Sequence, residues 1–296
     1  MKTLSTLGII AALVGLTAGS LPASIFTPDV VAPPGLGNSL DGYWTFDDAS
    51  GGILHDYSGH GYNGTLMNYP NGQGNWTSGF LGGALQFGGY STHEYVSVPN
   101  FAMPSTSMTL TTWAWADATP YWATIAANWN GAWGAFNYAT FAGTPNMSLY
   151  AADAYVQGGI NIDYGVSSAS LSINQWHFLA FVANSQTGTV TFFQDGVAVG
   201  AFGYHGQLLA SSSQLNIGDD PSDTSPGQGN WNGKIDDLAI WTRALSSQEL
   251  ASIYQAGLAG QSLLTLIPEP SIMALCGLGI LMGAWRRAAS LKSRHG

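Results

Sequence analysis

Acidic side chains lie at several points where apolar runs give way to turns, and their chemistry suits a divalent cation. Calcium takes about six to eight oxygen ligands from carboxylates, amide or backbone carbonyls and water. The acids are too widely spaced for one continuous EF-hand loop. The alternative is that they are turn carboxylates facing water. The candidate ligands are Asp47, Asp48, Asp56, Asn63, Asp236 and Asp237.

Aromatic side chains between residues 121 and 133 form a second candidate site. Trp122, Trp129 and Trp133 lie in a stretch interleaved with Asn, Gly and Ala. Sugars stack on flat aromatic faces while polar groups bond their hydroxyls, so an exposed loop of this kind is expected to bind polysaccharide. Of these rings, Trp129 and Trp133 are the ones most expected to be exposed, because small and polar residues surround them. The alternative is that these rings are core, because sandwich interiors contain tryptophan.

The sequence offers little for catalysis. Glycoside hydrolysis uses two carboxylates, one of them protonated, and residues 24–267 contain only Glu94 and Glu249 as glutamates. Glu249 fits a helix-capping box, and Glu94 is isolated. His55 and His60 match no common zinc spacing. No catalytic residue is therefore predicted, and the chain is expected not to be an enzyme.

The charge distribution excludes some partners. Residues 24–267 contain sixteen acidic but only two basic residues, Lys234 and Arg243. Such a surface repels nucleic acid and anionic lipid. The single cysteine, Cys276, lies near the C-terminus, so disulfides do not hold the central region together.

The elements that would position these residues are mostly strands. Short apolar runs alternate with turn clusters, and Asp195-Gly196 is a type I′ hairpin signal. Over residues 107–116, period-two spacing places Trp113 and Trp115 on one face. One helix is expected after the S-x-x-E box at residues 246–249, with Gly257 as its C-terminal cap. This pattern indicates antiparallel β structure.

The two ends read as targeting segments. Residues 1–23 combine Lys2, an apolar run and small residues, which is the pattern of a secretory signal peptide. Residues 24–39 have the Pro/Gly composition of a linker. Residues 268–296 begin with Pro268, Glu269 and Pro270, continue as an apolar stretch and reach Arg286-Arg287.

This C-terminal order resembles the PEP-CTERM sorting signal of Gram-negative bacteria. The resemblance implies an apolar helix with transient membrane contact, processing by an exosortase-type enzyme, and association with exopolysaccharide. An ordinary C-terminal membrane anchor is the alternative for residues 268–296. In either case the chain is expected to be exported, to the cell surface or extracellular matrix.

The central region resembles the laminin-G-like, concanavalin-A-like jelly roll. The resemblance rests on ordered phrases between residues 40 and 257: YWTFDD (43–48), DYSGHGYNG (56–64), ALQF (84–87), WHF (176–178), QDG (194–196), GKIDDL (233–238) and RALS (243–246). It implies an all-β fold, a two-sheet antiparallel jelly-roll sandwich with one short C-terminal helix, over residues 40–260. Residues 120–170 depart from the compact pattern, and residues 261–267 read as a second linker.

The resemblance also implies where a calcium ion would bind. In a jelly roll the first and last strands are usually neighbours, and in this family a calcium often lies where they meet. Asp47, Asn63 and Asp236 are the foremost ligands on this basis, with Asp48, Asp56 and Asp237 in second place.

These features together predict an exported, non-catalytic protein that has calcium as a cofactor and binds or organises extracellular polysaccharide. One alternative is a structural matrix protein that associates with itself. A second alternative is a glycoside hydrolase, because some proteins of this architecture have that activity.

Overall fold

The computed structural model describes residues 35–104, 106–118, 123–127, 136–141, 146–152, 162–204, 214–219, 221 and 229–267, with backbone only for the strands between 136 and 170. These residues form two antiparallel β-sheets, which confirms the predicted all-β sandwich. The first sheet comprises β1 (Leu40–Trp44), β4 (Trp76–Ser78), β5 (Gly83–Gly88), β7 (Met108–Ala116), β12 (Trp176–Asn184), β13 (Thr189–Gln194), β14 (Val197–Gly203) and β16 (Asn232–Trp241).

The second sheet contains the long middle region that the sequence pattern left uncertain. Its order is β11-β10-β9-β8-β15-β6-β3-β2, so β8 to β11 follow one another as a meander. Its strands are β2 (Ile53–Leu54), β3 (Gly64–Met67), β6 (Tyr95–Pro99), β8 (Ala123–Ala127), β9 (Phe136–Phe141), β10 (Asn146–Ala152), β11 (Ile162–Ser170) and β15 (Gln214–Ile217).

The last strand lies in the middle of the first sheet. The order there is β14-β13-β12-β7-β16-β5-β4, and β1 also pairs with β16. Leu40 of β1 lies opposite Trp241, and Trp44 opposite Leu238. The expectation that the first and last strands are neighbours is therefore confirmed.

The main core lies between the two sheets. Strand β7 shows how alternation builds it: Leu110 and Ala114 point into the core, whereas Trp113 points to the opposite face. Asp195 and Gly196 both have positive φ, 51° and 80°, as the predicted type I′ turn requires.

A second apolar layer covers part of the outer face of the first sheet. Helix α1 (Ser247–Leu258) packs there through Leu250 and Ile253. Ser246 and Glu249 form the predicted capping box. Gly257 is not the C-terminal cap, because it lies inside the helix, where a Cβ atom would stand 2.7 Å from the Trp113 ring.

Segments beyond the predicted domain limits also join this layer. Leu36, in the predicted N-terminal linker, is buried, and its carbonyl accepts a 3.0 Å hydrogen bond from the Trp241 indole. Residues 261–267 contain a short second helix, α2 (Leu263–Leu266), with Leu263 and Leu266 buried. The packed unit therefore extends past residues 40–260 on both sides.

Within the described residues, no helix combines the length and the apolar character needed to cross a membrane. The predicted signal peptide and the sorting residues Pro268, Glu269, Pro270, Arg286 and Arg287 lie outside the described residues.

Candidate functional site

A glycine-rich turn at residues 79–83 joins two of the predicted cation ligands. Asp47 follows the first strand, and its Oδ1 accepts a 2.5 Å hydrogen bond from the Gly83 amide. Asp236, on the last strand, accepts a 2.8 Å bond at Oδ2 from the Leu81 amide. Two carboxylates that are far apart in sequence therefore hold the same turn.

Asp236 and Asp237 form a buried acidic pair at a β-bulge. The register of β16 against β7 shifts between Asp236 and Ala239, and Asp237 has a φ of 46°. Ile235 and Leu238 both point into the main core. A regular strand would have one residue between two core-facing positions, whereas the bulge places two there, Asp236 and Asp237. Asp236 is 0% exposed and Asp237 7% exposed.

Burial raises the pKa of both carboxyl groups. For Asp236, the neighbouring Asp237 charge adds to burial, and its pKa lies well above the ordinary value. For Asp237, burial and then the Asp47 charge outweigh the hydrogen bond from the Tyr43 hydroxyl, which gives a pKa of about 7. Within the part of the chain that the structure describes, one oxygen of each, Asp236 Oδ1 and Asp237 Oδ2, lacks a hydrogen-bond partner.

A cavity of about 10 Å³ beside Asp237 is too small for an organic ligand. Tyr43, Trp113 and Leu263 contribute to its wall. This volume accommodates about one water molecule, whereas ligand pockets measure roughly 300 Å³ or more. The acidic pair therefore suits a proton, a water or an ion.

Asp56 and Asn63 organise a separate loop. Asp56 accepts four hydrogen bonds, from the amides of Tyr43, Ser58 and Tyr62 and from the Ser58 hydroxyl, at 2.8–3.0 Å. Asn63 Oδ1 accepts from the Asp56 amide at 2.9 Å. Since a carboxylate has about four acceptor positions, Asp56 has none left for a cation.

Asp48 is engaged in a third place. Its Oδ1 lies 2.5 Å from His55 Nδ1, and its Oδ2 accepts from the His55 amide at 3.2 Å. His60 contacts Ser58 instead, so the two histidines have different partners.

The six predicted ligands are thus divided among three neighbourhoods. Among the described residues, no three His, Cys, Asp or Glu side chains form a ready-made metal cluster. Asp47, Asp236 and Asp237 fit a cation best, because two of them retain unbonded oxygens and the Asp47 charge acts on both. Calcium stays a prediction.

A row of partly exposed side chains crosses the uncovered part of the outer face of the first sheet. Trp176 lies opposite Trp115, Trp115 opposite Lys234, and Lys234 opposite Gln86. All four are half-buried. We call these four residues, on strands β12, β7, β16 and β5, the outer row.

Close contacts order the outer row. The Trp115 and Trp176 rings meet edge to face with centroids 6.0 Å apart, and Lys234 Nζ lies 4.8 Å from the Trp115 centroid. Exposed Asp117 accepts from the Trp115 indole at 2.9 Å and from the Gln86 amide at 2.7 Å. An aromatic half and a polar half are therefore held side by side.

The outer row was missed as a site by the sequence analysis, although part of its signal was present. The period-two spacing of Trp113 and Trp115 correctly placed both on one face. Their cross-strand neighbours depend on strand order, which the spacing does not give. The predicted sugar-binding residues Trp122, Trp129 and Trp133 lie outside the described residues.

The remaining candidate acids and bases have local partners. Glu94 is buried and accepts from the Gly88 amide at 2.7 Å. The Arg243 guanidinium donates to Glu249 and holds the pKa of that carboxyl at about 2. His177 Nδ1 lies 2.7 Å from Asp195 Oδ2.

Two packed antiparallel sheets, one of which has a row of half-buried aromatic and polar side chains on its outer face, define a β-sandwich of the jelly-roll class. The family model for the concanavalin A-like lectin/glucanases superfamily, in its laminin G form, matches residues 88–251, more than half of the chain. The chain therefore belongs to this family. No curated protein matches it.

Several solved structures share the fold. Domain 4 of AbnA, an extracellular arabinanase from Geobacillus stearothermophilus in complex with arabinotriose, is 15% identical with a TM-score of 0.53, covering 72% of this chain and 97% of that domain. The binding domain of Paraclostridial Mosquitocidal Protein 1 is 14% identical with a TM-score of 0.57. The match covers 74% of this chain and 52% of that domain. The binding domain of Botulinum Neurotoxin DC in complex with SialylT is 14% identical with a TM-score of 0.52. The match covers 75% of this chain and 52% of that domain.

The chain matches about half the length of the two toxin binding domains. At these identities the likeness shows the fold, and the ligands named belong to those proteins.

Proposed function

We propose that this chain is an exported, non-catalytic carbohydrate-binding protein. The outer row is the observation that carries the proposal, because it places two partly exposed indoles beside an ammonium and an amide. The apolar face of a sugar ring packs on an indole, while its hydroxyls need polar partners. The presence of this fold in domains solved with arabinotriose and SialylT supports the same class of ligand.

The partners of Glu94 and Glu249 favour binding over hydrolysis. A glycosidase needs one carboxylic acid and one carboxylate on either side of the scissile bond. Glu94 is bonded to a backbone amide and Glu249 to Arg243 at a helix start. Release of reducing sugar by the full chain, abolished in Glu94→Gln or on substitution of one of the paired aspartates, would establish the glycosidase alternative instead.

The function is tested by probing the full chain on a glycan array. We expect binding to a subset of glycans, reduced in Trp115→Ala but kept in Tyr90→Ala. Tyr90 is the control because it is an exposed aromatic residue, 42% accessible, outside the outer row. Self-association without binding to any glycan would contradict the proposal and favour the structural matrix protein.

Calcium is proposed as the stabilising ion. Asp47, Asp236 and Asp237 would hold it, and the ion would offset their negative charge where the first and last strands meet. Calcium uses such hard oxygen ligands. A resident ion would also connect the turn at residues 79–83 to both strands, since Asp47 and Asp236 already bond to it.

The calcium proposal predicts a cation-dependent melting temperature. A ligand bound only by the folded state stabilises by about 2.7 kcal/mol at a hundredfold excess over its Kd. The full chain is expected to melt at a higher temperature in calcium than in chelator, and Asp236→Asn should remove the difference. Asp48→Asn, whose carboxylate pairs with His55, should keep it. Equal melting temperatures in both buffers, for wild-type protein that is metal-free at the start, would contradict the calcium proposal.

The targeting segments complete the proposal. Residues 1–23 direct export, and residues 268–296 make transient membrane contact before an exosortase-type enzyme removes them at the surface of a Gram-negative bacterium. Intact-mass analysis of the exported protein tests this, with cleavage near residues 268–270 expected. An exported chain that keeps Arg286 and Arg287 would indicate a lasting anchor.

A further inference from the structure

We propose that the outer row binds a neutral polysaccharide lying across the strands, from Trp176 to Gln86. This inference rests on the carbohydrate-binding function proposed above and adds the location, direction and charge class of the ligand. Four neighbouring strands contribute one residue each, in direct register. With strands about 4.8 Å apart, the row spans roughly 14 Å, a length that suits a chain of several sugar units.

The surroundings of the row fix the direction of the ligand. Along β7, the next residue on the same face is Trp113, which is only 3% exposed. Phe80 stacks on it at 3.6 Å between centroids, and Tyr254 of α1 stacks at 5.8 Å. A ligand that follows the strand therefore meets covered aromatic rings, whereas one that crosses the strands stays on partly exposed side chains.

The two halves of the row offer complementary chemistry. Trp176 and Trp115 are half-buried, with their rings in edge-to-face contact and Lys234 Nζ over the Trp115 ring. The part of the two indoles that stays exposed is the apolar surface that the C–H faces of sugar rings would contact. Lys234 supplies hydrogen-bond donors, and Asp117, at the border of the row, is an exposed acceptor. Sugar hydroxyls both donate and accept, so a mixed set of this kind matches them better than donors alone.

Charge decides between neutral and acidic glycans. Lys234 and Asp117 border the same indole, so their charges cancel locally. At physiological salt, interactions beyond about 8 Å are largely screened, which leaves no net attraction for a carboxylate sugar. The acidic excess of residues 24–267 repels polyanions at lower salt. A neutral polysaccharide needs no net positive charge on the row and is not repelled by the acidic excess.

The test is affinity electrophoresis of the full chain in gels containing soluble polysaccharides. Neutral probes are arabinan, glucomannan and dextran, and acidic probes are alginate and polygalacturonate. We expect at least one neutral polysaccharide to retard the protein, with little change on adding salt. Trp115→Ala and Trp176→Ala should each weaken that binding by roughly tenfold, the equivalent of about 1.4 kcal/mol. Tyr90→Ala should bind like the wild type, and melting temperatures will show that all variants are folded.

Each contrary result has a distinct meaning. Retardation by acidic probes alone, lost with salt and in Lys234→Gln, would overturn the neutral class but keep a carbohydrate-binding function. Neutral binding that survives in folded Trp115→Ala and Trp176→Ala would place the site elsewhere and overturn the outer row. If the glycan array and the gels are both negative for the wild type, the proposed function itself fails.

Discussion

At the scale of single residues, Asp117 organises more of the candidate surface than its position suggests. It is exposed, yet its two carboxylate oxygens accept from side chains of two different strands, Trp115 on β7 and Gln86 on β5. Both partners belong to the outer row. Asp117 therefore acts as a positioning residue for the aromatic and polar halves together.

Asp117→Ala is predicted to weaken glycan binding with little change in stability. Loss of two exposed hydrogen bonds frees the Trp115 ring and the Gln86 amide to leave their bound positions. We expect Kd to rise roughly fivefold, the equivalent of about 1 kcal/mol, and the melting temperature to stay nearly constant. Titration calorimetry with the glycan identified on the array measures the first, and thermal unfolding the second. Asp117→Asn should recover part of the affinity, and an unchanged Kd in both variants would contradict this role.

The buried pair Asp236 and Asp237 predicts an unusual pH dependence for the metal-free protein. Their folded pKa values are raised by burial, to about 7 for Asp237, so the folded state retains protons that the unfolded chain has released. This contribution is fully present below about pH 4, the ordinary carboxyl range, and is lost as the pH rises towards 7. Each unit of pKa difference corresponds to about 1.4 kcal/mol.

In chelator, the free energy of unfolding should therefore decrease between about pH 4 and pH 7. Asp237→Asn should reduce this decrease, because the amide cannot ionise, while Asp236 maintains part of it. Urea unfolding at closely spaced pH values measures the effect. Stability that rises steadily over the same range, with no difference in the variant, would show that the pair is ionised in the folded protein at low pH.

Some residue roles could be anticipated from the sequence and others could not. The family resemblance pointed to Asp47 and Asp236 as residues near the junction of the first and last strands, and both bond to one turn there. It could not show that Asp56 is saturated, because those four bonds depend on the conformation of its own loop. Spacing reveals which residue types occur, not which lone pairs stay available.

At the scale of elements, strand β16 determines the geometry of the first sheet. Its bulge points both aspartates to one face, and Gly233 lets it approach β7 closely. Gly233 has a φ of 148°, and a Cβ atom would stand 1.9 Å from the Trp115 carbonyl oxygen. The phrase GKIDDL (233–238) pointed to this segment in the sequence, but it did not reveal the bulge, since a bulge depends on the register with neighbouring strands.

Gly233→Ala is predicted to destabilise the fold by about 2 kcal/mol or more, from backbone strain and overpacking combined. Gly59→Ala provides a matched control, because Gly59 also has positive φ, 94°, but no atom of the described residues lies within 4 Å of the added methyl group. The control should therefore show the backbone cost alone. Chemical denaturation of both variants gives the comparison, and equal losses of stability would mean that β16 can move away from β7.

At the scale of the whole molecule, the first sheet depends on the last strand. β16 pairs with β7, β5 and β1, so it joins strands from the start and the middle of the chain. The family resemblance anticipated the contact of first and last strands. It did not anticipate that Leu36 and helix α2 complete the outer apolar layer, because short segments next to prolines and glycines look like linkers in sequence.

A chain that ends at Trp231 is predicted not to unfold cooperatively. Without β16, strands β5 and β7 lose their shared neighbour, and the main core loses Ile235, Leu238 and Ile240. Circular dichroism and calorimetry, with the full chain as reference, measure the transition. A sharp transition in the shortened chain would show that the remaining strands can close the sheet by themselves.

The central position of β16 also has a consequence for biosynthesis. A ribosome makes the chain from its N-terminus, so β16, the last strand among the described residues, is made after all the strands that it joins. Until it emerges, the first sheet lacks the strand that joins β7 to β5 and β1, and a domain generally folds as a unit. Folding of the first sheet is therefore expected only after β16 has left the ribosome, when most of the described strands have already been made.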